Sequence, residues 1–296
     1  MHRHKNMNLS VPFDPDDYYR TCRGLPSYDE SDYNILVGGD LLAAQYAGYK
    51  AYANIQKLTG KNDEARRFFN KAEEVKKFYN KVWWDNENQT YYSAYLGNGR
   101  FKTGKAGRAS LYFGIVGPSY RSETILNQMI EQKVRLNIES LSHYPEIFYR
   151  FGRNNEAYEI LLYLTDEKTR RREYPEVSFA VIGAIVNGMM GIEPNSVENT
   201  VYTLPRLTSE TEWVEVKNVP VLNCEIDVKH TGIKRTELLN KGKNDLVWVA
   251  LFPSAADLLF VNGKANKPQQ EIQNGRIVTK VRVVVKPDQR CWVEMK

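Results

Sequence analysis

Ser27-Tyr28-Asp29-Glu30-Ser31-Asp32-Tyr33-Asn34, followed shortly by Gly38-Gly39-Asp40, leads directly into the first long apolar run of the chain. Asp29, Glu30 and Asp32 crowd one short segment, with tyrosines before and after them. Like charges at this spacing repel, and the repulsion lets one carboxyl keep its proton near neutral pH. A protonated carboxyl beside ionised ones is what general acid chemistry needs. The same residues also read as a solvated acidic loop ending in a helix cap at Asp40.

The run that follows, Asp40 to about Leu58, carries apolar residues nearly all round: Leu41, Leu42, Tyr46, Tyr49, Tyr52 and Ile55 among them. Such a helix is expected to be buried on most sides, and Gly60 ends it. The next helix, about Asp63 to Val82, is one-sided. Ala65, Phe68, Phe69, Ala72, Val75, Phe78, Tyr79 and Val82 fall on one face and Arg66, Lys71, Glu73 and Lys77 on the other. An all-round helix followed by a one-sided one is the expected unit of a two-layered helical ring, inner then outer. Trp83 to Phe101 is rich in turn residues and reads as a small hairpin with a strand at Thr90 to Leu96. Helices are expected again at Gly107–Val116, Ser122–Gln132, Pro145–Phe151 and Asn155–Leu164. The last, Pro175 to about Met190, is apolar all round and reads as a second inner helix.

Near Glu193-Pro194-Asn195 the apolar period changes from almost four to two. Strands are expected at Glu212–Val216, Cys224–Lys229, Arg235–Leu239, Leu246–Leu251, Asp257–Val261, Ile277–Val285 and Cys291–Glu294, separated by turns such as Asn262-Gly263 and Asn274-Gly275. The spacing implies an antiparallel β-sandwich. The expected organisation is therefore an irregular segment 1–26, a partial α/α toroid at 27–195 and a β-sandwich at 196–296, a mainly α plus all-β chain.

That order resembles the carboxy-terminal half of the six-hairpin glycosidase superfamily, which includes trehalase, the processing α-glucosidases and the α-L-rhamnosidases. The resemblance rests on ESDYN (Glu30 to Asn34), on GGDLLAAQYAGYKAY followed by the outer helix ending in WWD (Trp83 to Asp85) and the YY strand (Tyr91 to Tyr92), and on REYPEVSFAVIGAIVNGMMGIEP (Arg172 to Pro194). It covers roughly residues 25–195. A closed ring of six hairpins takes more helices than the roughly seven expected here. The expectation is a half-ring whose remainder precedes residue 1 or comes from a partner chain.

The resemblance implies glycoside hydrolysis by an acid and a base, with the inverting geometry that sets the two carboxyl groups roughly 6.5–9.5 Å apart. Asp32 matches the acid, since it precedes Tyr-Asn and the Asp-Leu helix start, and Glu30 is the second match. Glu173 and Glu176 both lie where the base loop joins the last inner helix. Arg171 and Arg172, next to Glu173, would favour its ionised form. Tyr28, Tyr33, Tyr144 and Tyr174 are expected to line the same mouth as sugar contacts, with Asn34, His143 and Glu146 completing the set. Glu146 and Glu176 also read as first-turn partners of a helix dipole, and Trp83 and Trp84 as inter-helix packing. Two alternatives stand beside hydrolysis. One is a polysaccharide lyase using His143 and Tyr144, with Arg170–Arg172 holding an acidic polymer. The other is a non-catalytic carbohydrate-binding protein.

Composition sets the outer bounds. The 296 residues are 42% hydrophobic and 12% aromatic, with a net charge of +5. That charge is too mild to argue for a nucleic-acid partner. Cys22, Cys224 and Cys291 are far apart and imply no disulfide framework or metal motif. No cofactor or metal is expected. The amino terminus has no apolar signal-peptide core and no run is long enough for a membrane span, so the chain reads as soluble, with an oligosaccharide or polysaccharide as its partner.

Overall fold

In the computed structural model of the protein, residues 35–104, 107–133 and 136–296 are described. The chain forms two compact units, Met1–Gln132 and Lys133–Lys296. The change of period near Pro194 therefore lies inside the second unit, where helices give way to sheets.

The first unit is built on a helical hairpin. Strand β1 (Ile35–Gly38) runs into α1 (Gly39–Leu58), and α2 (Asn62–Val82) returns after a turn in which Gly60 takes a φ of +76°. Leu42, Ala43, Tyr46 and Ala53 of α1 are buried, as are Ala65, Ala72, Val75 and Tyr79 of α2. Phe68 sits edge-on between Tyr49 and Tyr52, at centroid distances of 5.6 and 4.4 Å. Helix α2 buries one face and exposes the other, as its one-sided pattern requires. Helix α1 differs from the expectation at two points. Its cap is Gly38, and Asp40 lies in the first turn, its Oδ1 accepting from the Leu41 N–H. It is also not buried on most sides, because Ile55 is 54% exposed and Tyr52 and Leu58 are exposed as well.

Short strands decorate the hairpin: β2 (Trp84–Asp85), β3 (Thr90–Tyr91), β4 (Ala94–Leu96) and β5 (Phe101–Lys102). The expected strand Thr90–Leu96 is broken in two. The Tyr92 N–H donates to the Trp83 carbonyl, and the Ser93 carbonyl accepts from Gly39 N–H at 2.8 Å. So β3 pairs with β2, while β4 sits between β1 and β5. Trp83 is buried, stacked on Tyr79 at 5.9 Å, and Trp84 is buried under the Arg121 guanidinium at 4.5 Å. Both are packing residues. Helices α3 (Gly107–Tyr112) and α4 (Tyr120–Gln132) complete the unit. The first stops short of Val116, ahead of Gly114 at φ +71°.

The second unit opens with α5 (Ile138–Ser142), capped by the Asn137 side chain, which accepts from the Ser140 N–H. Then come α6 (Tyr144–Arg150), α7 (Asn154–Thr165) and α8 (Pro175–Gly183). The expected helix through Met190 widens into a π-helical turn at Ala184–Met189, which seats Gly188 against the Tyr149 ring; a Cβ there would lie 2.6 Å from Cδ2. Helix α8 is not buried on all sides as its pattern suggests. Val177 is its one buried residue, and Phe179 and Ile182 are 72% and 59% exposed. An all-round apolar pattern needs neighbours on every side, and the described residues supply them on one.

Two sheets follow. The five-stranded sheet takes β6 (Glu193–Asn195), β7 (Thr200–Thr203) and β11 (Leu246–Phe252), then β15 (Arg276–Val285) and β14 (Gln269–Gln273). The six-stranded sheet takes β8 (Trp213–Val221), β9 (Cys224–Thr231), β10 (Arg235–Asn240), β16 (Arg290–Met295), β12 (Leu259–Val261) and β13 (Lys264–Asn266). All pairings are antiparallel except β7 with β11, which run parallel. Ile226, Val228, Leu238 and Val293 from one sheet and Val201, Trp248, Phe252 and Val285 from the other share one buried cluster, which makes the pair a sandwich.

Candidate functional site

Asp32, Glu30, Tyr28, Tyr33 and Asn34 lie outside the described residues. Glu173 and Glu176 lie in the second unit, Glu173 on the turn from α7 to α8 and Glu176 in the first turn of α8. That turn is well tied down. Thr169 is buried and its hydroxyl donates to the Tyr163 carbonyl at 2.7 Å, and the Lys168 N–H donates to Asp166 Oδ1 at 2.9 Å. Arg171 takes a left-handed φ of +64°. Tyr174 then sets an extended backbone, Pro175 fills the first helical position and Glu176 the first turn. Glu173 and Glu176 are both exposed, on either side of the Tyr174-Pro175 step. Neither side chain makes a hydrogen bond or ion pair among the described residues.

The charge environment of Glu173 differs from the expectation. Arg171 is engaged elsewhere: its Nη2 reaches Glu139 Oε1 at 2.5 Å and its guanidinium lies 4.3 Å above the Tyr174 ring. Of the two arginines expected to hold Glu173 ionised, Arg171 is thus bound to another carboxylate. Tyr174 is half-buried and shares its ring face with that guanidinium.

The other candidates separate. Tyr144 is 3% exposed and sits edge-on to Phe148 at 5.6 Å. Its ring is part of the helical core, not an open platform for a sugar face. Glu146 is half-buried and pairs with Arg150 at 3.0 Å, one helical turn on. His143 stands half-buried at the joint between α5 and α6. The Lys168–Arg172 run is that same α7–α8 turn.

Sequence reading missed a concavity on the outer face of the five-stranded sheet. Glu193, Tyr202, Arg206, Glu271, Gln273 and Lys280 rim a cavity of about 300 Å³. The signal for it was present in part. Gln269, Glu271 and Gln273 put polar groups on alternate positions of β14, and Lys280 and Arg282 do so on β15. In the first unit, Val37, Leu42, Phe78, Val82, Trp83, Tyr95 and Phe101 line an apolar cavity of about 250 Å³.

No family model matches this sequence, and no curated protein matches it. Solved structures do. A GH78 family rhamnosidase of Bacillus sp. GL1 superposes on 72% of this chain and 25% of its own with a TM-score of 0.52, at 14% identity. A structure described as a sialidase superposes on 86% of this chain and 28% of its own with a TM-score of 0.56, at 12% identity. The chain thus spans about a quarter of the length of the structures it resembles. At these identities the likeness speaks for the fold alone: helices followed by two largely antiparallel sheets. No helix among the described residues is long and apolar enough to cross a membrane.

Proposed function

We propose that this chain is the carboxylate-bearing portion of an inverting glycoside hydrolase with an α/α-toroid catalytic domain and an appended β-sandwich. The observation that carries the reading is the fold likeness to the rhamnosidase over 72% of the chain. The uncovered apolar faces add to it. Ile55 of α1 and Phe179 and Ile182 of α8 point away from their own units, as inner helices do where further helices of a ring are to pack. In this reading residues 27–195 belong to the ring and 196–296 to the sandwich.

Asp32 is proposed as the acid that protonates the glycosidic oxygen, with Glu30 its alternative. Glu173 or Glu176 is proposed as the base that activates water on the other face of the sugar. Their freedom from hydrogen bonds and ion pairs among the described residues suits a base that must accept a proton from water. Tyr28, Tyr33, Asn34, Tyr174 and His143 are proposed sugar contacts. The experiment is hydrolysis of a panel of methyl and aryl glycosides, with the anomer formed first read by proton NMR. Release of the inverted anomer supports the reading. Release of the retained anomer, or an unsaturated product absorbing in the ultraviolet, refutes it; the latter would favour a lyase.

A further inference from the structure

The cavity on the outer face of the five-stranded sheet uses none of the residues proposed for catalysis. Its floor is Leu204 and Leu251, which belong with Val249 and Val278 to a small apolar cluster on the side of the sheet opposite the sandwich core. The alternation of the strands puts it there: Trp248, Ala250 and Phe252 of β11 face inward, so Val249 and Leu251 face out.

The rim is set by Arg206. Its Nη1 donates to the carbonyls of Asn187 and Gly188, at 3.0 and 2.7 Å, where the π-helical turn ends. Those two bonds fix the plane of the guanidinium. Nε and Nη2 make no hydrogen bond among the described residues, so part of an oriented donor fork remains unspent. Burial draws the guanidinium below its ordinary pKa, and the charge of Glu193 opposes this. Glu193 is exposed, and its side chain makes no hydrogen bond or ion pair among the described residues. The chain brings it there through Gly191, whose φ of +58° and close approach to the Leu204 carbonyl leave no room for a Cβ. On the far side Glu271 is paired with Lys280 and accepts from Gln273 Nε2 at 2.7 Å, which leaves the Gln273 carbonyl as an acceptor.

We propose that this cavity is a binding subsite for a neutral pyranoside. The unspent Arg206 donors reach two adjacent ring hydroxyl oxygens, Glu193 and Gln273 accept hydroxyl protons, and Leu204 and Leu251 meet a C–H face of the ring. The charges of the rim argue for neutrality: Glu193 and Glu271 balance Arg206 and Lys280. An anion would meet two carboxylates and a cation two fixed positive groups. An apolar ligand would strip water from the rim without replacing its hydrogen bonds. The volume is at the small end of ligand pockets and suits one sugar ring.

The test is a titration of the full chain with methyl α-L-rhamnopyranoside and methyl α-D-glucopyranoside to about 50 mM, a range that reaches weak single-ring affinities. The Arg206 Nε–Hε resonance is followed by ¹⁵N NMR and assigned by its loss in Arg206→Lys. A saturable shift with at least one sugar is expected, and Glu193→Ala and Gln273→Ala should each weaken it by about fivefold or more. Glu193 and Gln273 lie on the rim, so a folding failure of one variant leaves the other to decide. No saturable shift with either sugar overturns the proposal. So does unchanged affinity in both variants, or a tighter response to sodium sulfate than to either sugar. None of these results bears on Asp32, Glu173 or Glu176, whose roles are read by hydrolysis instead.

Discussion

The imidazole of His230 donates from Nε2 to the main-chain oxygen of Met190, 3.0 Å away, and so ties the end of β9 in the six-stranded sheet to the end of the helical run. A carbonyl only accepts, so Nε2 carries the proton and Nδ1 accepts from the Thr236 hydroxyl at 2.8 Å. The ring is wholly buried and neutral.

This ring makes stability depend on pH. Burial holds its pKa down to about 4, the Met190 bond pulls part of the way back, and the Arg206 charge lowers it further. In the unfolded chain the ordinary value is about 6.5. Between the two values the unfolded state binds a proton that the native state refuses. Stability from this group is therefore full above about pH 6.5 and is lost as pH falls towards 4, by on the order of 3 kcal/mol. Urea unfolding at about pH 7 and about pH 4.5 should show the loss, and His230→Gln should remove most of the difference. The same pH dependence in both proteins would contradict the assignment.

Asp85 organises the hairpin that follows α2. Its carboxylate accepts from the N–H groups of Glu87 and Asn88, from the Asn88 side chain at 2.9 Å and from the Thr103 hydroxyl. Burial pushes its pKa up, but these bonds more than offset it and leave the carboxyl below the ordinary range. Asp85→Ala should destabilise the chain by about 1–3 kcal/mol, with the Trp84 fluorescence environment altered. An unchanged thermal midpoint would mean the loop holds its shape without the carboxylate.

Two glycines at similar backbone angles should respond differently to alanine. Gly191, at φ +58°, would place a Cβ 2.4 Å from the Leu204 carbonyl, whereas Gly232, at φ +52°, faces open space. Gly232→Ala should cost about 1 kcal/mol for the left-handed backbone alone, and Gly191→Ala clearly more, since the obstructing atom is main chain. Equal shifts of the denaturation midpoint would show that the Gly191 backbone can give way.

What could be read from the sequence followed the strength of each local pattern. The one-sided periodicity of Asn62–Val82 places that helix within a residue at its start, and the unbroken apolar run Leu246–Phe252 and the valine-rich run ending at Val285 mark two paired strands of the five-stranded sheet. Strand β6 was hidden by Pro194, which is tolerated because that strand lies at the edge of its sheet. Strands β13 and β14 are polar on most positions, so period two does not show. The partnership of Arg171 with Glu139 spans 32 residues and could not be read from neighbouring charges. Nor could the burial of Tyr144, whose Tyr-Pro-Glu setting matches that of the half-buried Tyr174. The cavity around Arg206 is assembled from several strands and a π-helical turn, none of which signals it alone.

Asp32 is proposed as the group that protonates the leaving glycoside oxygen. That role is tested most directly by comparing hydrolysis rates of wild type and Asp32→Asn in a catalytically competent form of the protein, on a glycoside whose leaving group needs a proton to depart. A fall in kcat of about 10²-fold or more with KM little changed is expected, because the amide keeps the size of the carboxyl and removes the proton donor. A rate in Asp32→Asn within a few-fold of wild type would rule out that role for Asp32.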